Sequence, residues 1–194
     1  MYDYHNPVLL HPSVDALVTN PDGTYVDVTF GGGGHSQAIL NKLSSKGKLI
    51  SFDQDEDTLA RVPKDPRFTL VNHNFQFTKQ YLEFLKASPV DGILADLGIS
   101  SHQIDVGERG FAHRLNGPLD MRMSASTPIS AAQIVQNSSE KELNYIFKQY
   151  GEIPNARRLS DIIIRSRGSK DLSTIEDSKP PSPPAPPAKH PPNI

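Results

Sequence analysis

"TFGGGGHS", residues 29–36, sets four consecutive glycines between a β-branched, apolar run and a stretch of helical spacing. Glycine accepts positive φ and lets a ligand approach the main chain with no Cβ in the way. The stretch therefore reads as strand, bare turn and helix start, an arrangement that receives a phosphate, a dinucleotide or another nucleoside-bearing cofactor.

The flanking sequence extends this pattern. "TYVDVTF" (24–30) reads as a buried strand and "SQAILNKLSS" (36–45) as a helix. "KGKLISFDQD" (46–55), "RFTLVNHNF" (67–75) and "VDGILADLG" (90–98) read as further strands. The helical patterns "EDTLARV" (56–62) and "QFTKQYLEFLKAS" (76–88) separate them. Strands alternating with helices imply parallel pairing through crossovers, hence an open α/β sheet. From Ile99 to Ser126 the chain is polar and glycine-punctuated with no sustained period, the mark of a functional loop. Helical patterns follow at 128–137, 139–151 and 155–168, with Ser139 and Glu142 spaced as a capping box. The expected organisation is a cofactor-binding α/β half (1–104), a substrate-side loop (105–126), the start of a helical subdomain (127–177) and a proline-rich, disordered tail (178–194).

Composition narrows the function classes. The 194 residues, 36% hydrophobic and 22% charged, suit one soluble domain of ordinary size. No apolar run approaches the roughly 20 residues that span a bilayer, and the N-terminus lacks a secretory pattern. The absence of cysteine excludes disulfides and thiolate metal sites and fits a reducing, cytoplasmic setting. A net charge of −2 leaves nucleic-acid binding to a local patch. The candidate cations are Arg109, Arg114, Arg122, Arg157, Arg158, Arg165, Arg167 and Lys170, the last five equally readable as solvated helix surface.

Asp53 follows the glycines by about 20 residues, the spacing at which a carboxylate accepts ribose hydroxyls. No Gly-Lys-Ser/Thr follows the glycines, which removes the phosphate-loop reading; a nicotinamide dinucleotide survives on spacing alone. Two features favour S-adenosylmethionine. Asp27 precedes the loop, where it either orients backbone or meets an ammonium, and "ADLGISS" brings Asp96, Ser100 and Ser101 to the same sheet edge.

"HNPVLL" (5–10), "VDVTFGGGGHS" (26–36), "FDQD" (52–55) and "VDGILADLGISSHQID" (90–105) then occur in an order that resembles a known family. "ERGF" (108–111), "GPLDMRM" (117–123) and "YGEIPNARRL" (150–159) continue it. That family is the bacterial 16S ribosomal RNA cytosine-N4 methyltransferases (MraW). The resemblance implies a Rossmann-type methyltransferase sheet with a helical insertion, S-adenosylmethionine as cofactor, and a cytidine of the small ribosomal subunit as substrate. It also implies a cytoplasmic protein with no membrane partner, and is compatible with a homodimer.

By motif position, the cofactor contacts fall on Gly33, Gly34, His35, Asp53, Phe75, Asp96 and Gln103. Gly31 and Gly32 either face the ligand or only make the tight strand-to-helix turn. Gly33 and Gly34 are expected to face the ligand, His35 to contact the cofactor or begin the helix, and Phe75 to meet adenine or join the core. Asp96 with Ser100 or Ser101 are the candidate groups for orienting the cytosine amine. Here "SSHQ" departs from the Pro-Pro-aromatic pattern of other amino-methyltransferases, and His102 stands where this family often has proline. Asp120 and Arg122 read as an ion pair, and Met121 and Met123 as packing. The resemblance runs to about Asp177 and then gives way to proline repeats, while family members continue with further strands. The sheet is thus expected to be incomplete, and the isolated chain marginally stable, prone to associate, and weakly active or inactive. A non-catalytic nucleoside- or RNA-binding fragment and an NAD-dependent oxidoreductase are the rival readings.

Overall fold

The computed structural model describes residues 7–169 and 171–178, the last two through their backbone alone. Four parallel strands form one sheet in the order β3-β2-β1-β4: β1 Thr24–Asp27, β2 Lys48–Phe52, β3 Phe68–Val71 and β4 Gly92–Leu94. The register sets Tyr25 beside Leu49 and Gly92, and Val26 beside Ile50 and Ile93. Successive side chains point to opposite faces, and both faces are covered. One face carries Tyr25, Leu49 and Leu94 against Val14, Ile39 and Leu40. Those last three belong to the helices α1 Leu10–Leu17 and α2 Gly34–Lys42. The other carries Val26, Ile50, Phe52 and Val71 against Leu82 of α3 Thr78–Phe84. Double coverage is why these strands read as continuous apolar runs.

All four strands are shorter than their sequence pattern suggests. Beyond the last ladder pairs of β1 and β2, carboxylates capture amides of the departing chain. Asp27 accepts from Thr29 N, and Asp53 from Asp55 N. The apolar alternation continues past these points, so periodicity overran the true ends. The helix α1 had no place in the sequence reading. Pro12 lies in its first turn, where a missing N–H costs nothing.

The segment read as one long loop carries structure of its own. Ser100 caps α4, Ser101–Asp105, in a reciprocal box with Gln103, and a single 3-10 turn follows at Gly107–Arg109. Beyond it come α5 Ala131–Asn137, α6 Glu140–Gln149 and α7 Ala156–Ser166, the last two packed against each other, and a short α8 spans Ile175–Ser178. The capping box expected at Ser139 and Glu142 is present. These helices and the loop before them line an open apolar hollow of about 870 Å³, among its residues Leu119, Leu143, Phe147, Leu159 and Ile163.

Among the described residues β4 pairs only with β1, leaving Ile93 53% and Leu97 70% exposed. No helix there is long and apolar enough to cross a membrane. His5, Lys170 and the proline-rich stretch from residue 179 onward lie outside the described residues.

Candidate functional site

A cleft of about 360 Å³ opens beyond the carboxyl ends of β1, β2 and β4, the place where parallel α/β sheets bind ligands. The switch in strand order explains its position: the chain runs from β1 to β2 and β3 on one side of it, then crosses from β3 to β4 on the other. Of the residues singled out, Gly34, His35, Asp53, Phe75 and Asp96 line this cleft. Ser100, Ser101 and Gln103 line it as well. Gly33 does not; it caps α2 at φ 82° and lines the adjoining hollow with Pro7 and Leu10. The turn glycines Gly31 and Gly32 face the cleft instead.

Asp27 is fully buried under the loop. Its Oδ1 accepts from Thr29 N at 3.0 Å and its Oδ2 from Ser36 Oγ at 2.7 Å. Ser51 Oγ lies 2.8 Å from Ser36 Oγ and, with Ser36 donating to Asp27, acts as donor. Burial pushes the Asp27 carboxyl above its ordinary pKa, against the lowering pull of Ser36 and Thr29. Asp27 therefore orients backbone and does not line the cleft.

Asp53 Oδ2 accepts from Gly31 N at 2.7 Å, tying the tip of β2 to the glycine turn. Its Oδ1 accepts from Asp55 N at 3.0 Å. Each oxygen keeps a lone pair for a ligand hydroxyl, and burial raises the pKa despite those backbone bonds. Phe75 is 46% exposed. It begins a 3-10 turn capped by Asn74, whose side chain accepts from Gln76 N. The turn sends Phe77 onto the ring of His73 and leaves Phe75 at the cleft, not in the core. His35, 5% exposed, brings Nδ1 within 3.8 Å of Asp96 Oδ2. Asp96 is held through its backbone, with its N donating to Thr29 Oγ1 at 2.8 Å. Its carboxylate stays half-exposed.

Bare main chain, a half-buried acid and an exposed aromatic face suit a nucleoside: backbone for its polar tail, carboxylate for its ribose, ring for its base. No group of acids and histidines among the described residues forms a metal site.

An acidic turn had escaped the sequence reading. Asp55, Glu56 and Asp57 follow β2 at the start of a 3-10 helix, Glu56–Arg61. Asp55 is 4% exposed and takes Arg109 Nη1 at 3.0 and 2.8 Å, one bond to each oxygen, and Gln103 Nε2 at 2.7 Å. Asp57 takes the same Arg109 nitrogen at 2.7 Å and His102 Nε2 at 3.2 Å. Burial would raise the Asp57 pKa, but His102 and Arg109 together hold it below the ordinary value. The signal available was three adjacent acids after a buried strand, otherwise read as a polar strand end.

Several cations expected to meet RNA are engaged internally. Arg109 is enclosed, its side chain 18% exposed. Arg122 forms the expected pair with Asp120, and Arg167 donates to the carbonyls of Val135 and Ser138. Arg114 and Arg165 are exposed beside Asp105 and Asp161, and Arg157 and Arg158 are exposed on α7. Met123 lines the cleft and its sulfur accepts from Gln103 Nε2, whereas Met121 is half-exposed.

Residues 3–180 match the model of the MraW methylase family. The ribosomal RNA small subunit methyltransferase H of Flavobacterium johnsoniae is 53% identical over 177 residues, 91% of this chain and 59% of that protein. Proteins of the same name from Bacteroides fragilis and Flavobacterium psychrophilum are each 50% identical, over 89% and 88% of this chain and 57% and 59% of theirs. The chain thus spans less than three fifths of the length of these relatives.

Proposed function

The chain belongs to the MraW methylase family, and we propose that its cleft holds S-adenosylmethionine for methylation of the N4 amine of a cytidine in small-subunit ribosomal RNA. The observation that carries this reading is the meeting of the glycine turn, Asp53 and Phe75 around one cleft. When bound there, the cofactor supplies a methyl already activated by its sulfonium.

The residues then have three tasks. The main chain of Gly31, Gly32 and Gly34 and the Asp53 carboxylate hold the nucleoside, and Phe75 covers its base. Asp96, with Ser100 or Ser101, accepts hydrogen bonds from the cytosine amine. That aligns its nitrogen and makes it more nucleophilic, and alignment is most of what such a transfer needs. The Asp96 carboxylate would take the surplus proton of the methylated amine, and it is exposed enough to release it to water. The base must leave its stack to reach this edge. Of the candidate arginines, Arg114, Arg157, Arg158 and Arg165 are the exposed ones that would meet phosphates.

Calorimetric titration with S-adenosylhomocysteine and with NAD tests the donor, and mass spectrometry of small-subunit RNA after incubation with the methyl donor tests the acceptor. Binding of NAD alone would replace the reading with a dinucleotide enzyme. Binding of S-adenosylhomocysteine without methyl transfer would favour a nucleoside-binding module.

A further inference from the structure

Every residue of the acidic turn Asp55–Asp57 reaches across to the segment that follows β4. Asp55 holds Gln103 and Arg109, and Asp57 holds His102 and Arg109. Between them, Glu56 accepts from Ser124 Oγ at 2.8 Å and from Ala125 N at 3.1 Å. Arg109 closes the arrangement from the other side. While Nη1 serves both aspartates, Nη2 donates to the carbonyls of Arg122 and Met123 at 3.1 and 3.2 Å. One guanidinium therefore binds both ends of the 109–123 segment to the turn after β2. That turn is in register with Asp53, whose Oδ1 accepts from Asp55 N.

We infer that Arg109 is a positioning residue that couples occupation of the nucleoside cleft to the order of residues 107–124. The inference rests on the donor reading above and extends it. A ligand gripping Asp53 fixes the Asp53–Asp55 turn. The fixed turn presents Asp55 and Asp57 to Arg109 in one geometry, and Arg109 then holds the carbonyls of Arg122 and Met123. A planar fork can serve two carboxylates and two carbonyls together, which a lysine ammonium cannot. By reciprocity, whatever orders 107–124 from outside, including an RNA acceptor, strengthens donor binding by the same factor.

Hydrogen–deuterium exchange of the full chain with and without saturating S-adenosylhomocysteine tests this in the wild type, Arg109→Lys, and the double variant Asp55→Asn with Arg109→Gln. The double variant removes both buried charges together and so leaves neither unpaired. In the wild type the ligand should slow exchange across 107–124 about five- to tenfold, within the usual range of coupling. Both variants should still bind the ligand while the ligand-dependent slowing falls to about onefold. A purely structural role for Arg109 would raise exchange equally with and without ligand and leave that ratio intact, which would overturn the inference. Ligand binding to the wild type with no slowing in 107–124 would overturn it too, leaving the donor reading standing. Failure of the wild type to bind S-adenosylhomocysteine would remove the donor reading and the coupling with it.

Discussion

Thr29 Oγ1 accepts a 2.8 Å hydrogen bond from the backbone N of Asp96, joining the tips of β1 and β4 across 67 residues of chain. The same hydroxyl lies 3.3 Å from Asp27 Oδ1, so one threonine joins the buried acid beneath the loop to the backbone of the exposed acid at the cleft. Thr29→Val keeps the shape and removes the hydroxyl. It should cost about 1 kcal/mol of stability and weaken S-adenosylhomocysteine binding severalfold, whereas Thr29→Ser should preserve both. Melting curves and calorimetry on the pair check this.

Asp53→Ala should weaken S-adenosylhomocysteine binding about 10- to 150-fold, from the roughly 1.5–3 kcal/mol of a hydrogen bond to a charged group. The Gly31 amide also loses its acceptor, so glycine-turn amides should exchange faster in the free variant. An unchanged dissociation constant would remove Asp53 from the site.

Gly33→Ala should destabilise the protein by about 1–2 kcal/mol, because φ 82° is unfavourable for any residue with a Cβ. The added carbon would stand 3.1 Å from Phe30 Cζ. Since Gly33 caps α2 and does not line the cleft, the loss should appear mainly as a lower Tm. Donor affinity should fall less than in Asp53→Ala.

Asp27 carries a pH signature. Burial raises its pKa in the folded protein, so the folded state holds this proton more tightly than the unfolded one. Its effect on stability is therefore a loss as pH rises from the ordinary carboxylate value through the raised one, and level beyond it. Asp27→Asn does not titrate, and its amide can accept from Thr29 N and donate to Ser36. The Tm of the variant relative to wild type should climb as pH rises above the ordinary carboxylate value of about 4 and stay constant once the raised value is passed. A difference independent of pH would show that Asp27 is ionised throughout.

The sheet was legible because Tyr25, Val26, Leu49 and Ile50 are all buried on one face or the other, which prints strand interiors as unbroken apolar runs. Strand ends were not, since they are set by which carboxylate captures which amide, a matter of geometry and not periodicity. Asp53 stood out by its distance from the glycines. The sequence does not choose between core and cleft for Phe75, because only the cap supplied by Asn74 decides which way that turn faces. Arg109 was misread for a physical reason. An isolated arginine in a polar loop looks like a free cation until three-dimensional folding brings Asp55 and Asp57, more than 50 residues away, beside it.

The helices α4 and α6 both start from an extended serine in a reciprocal capping box, yet one box is completed by Gln103 and the other by Glu142. On α6 the third position is exposed, and a carboxylate there complements the helix start. On α4 the same atom position has a second duty: the oxygen of Gln103 receives Ser100 N while its nitrogen reaches Asp55. Gln103→Glu would retain the first contact and turn the second into repulsion between two neighbouring anions. Only a side chain that gives with one arm and takes with the other can seat that helix on the cleft, so this site selects for a neutral amide where a surface helix is indifferent.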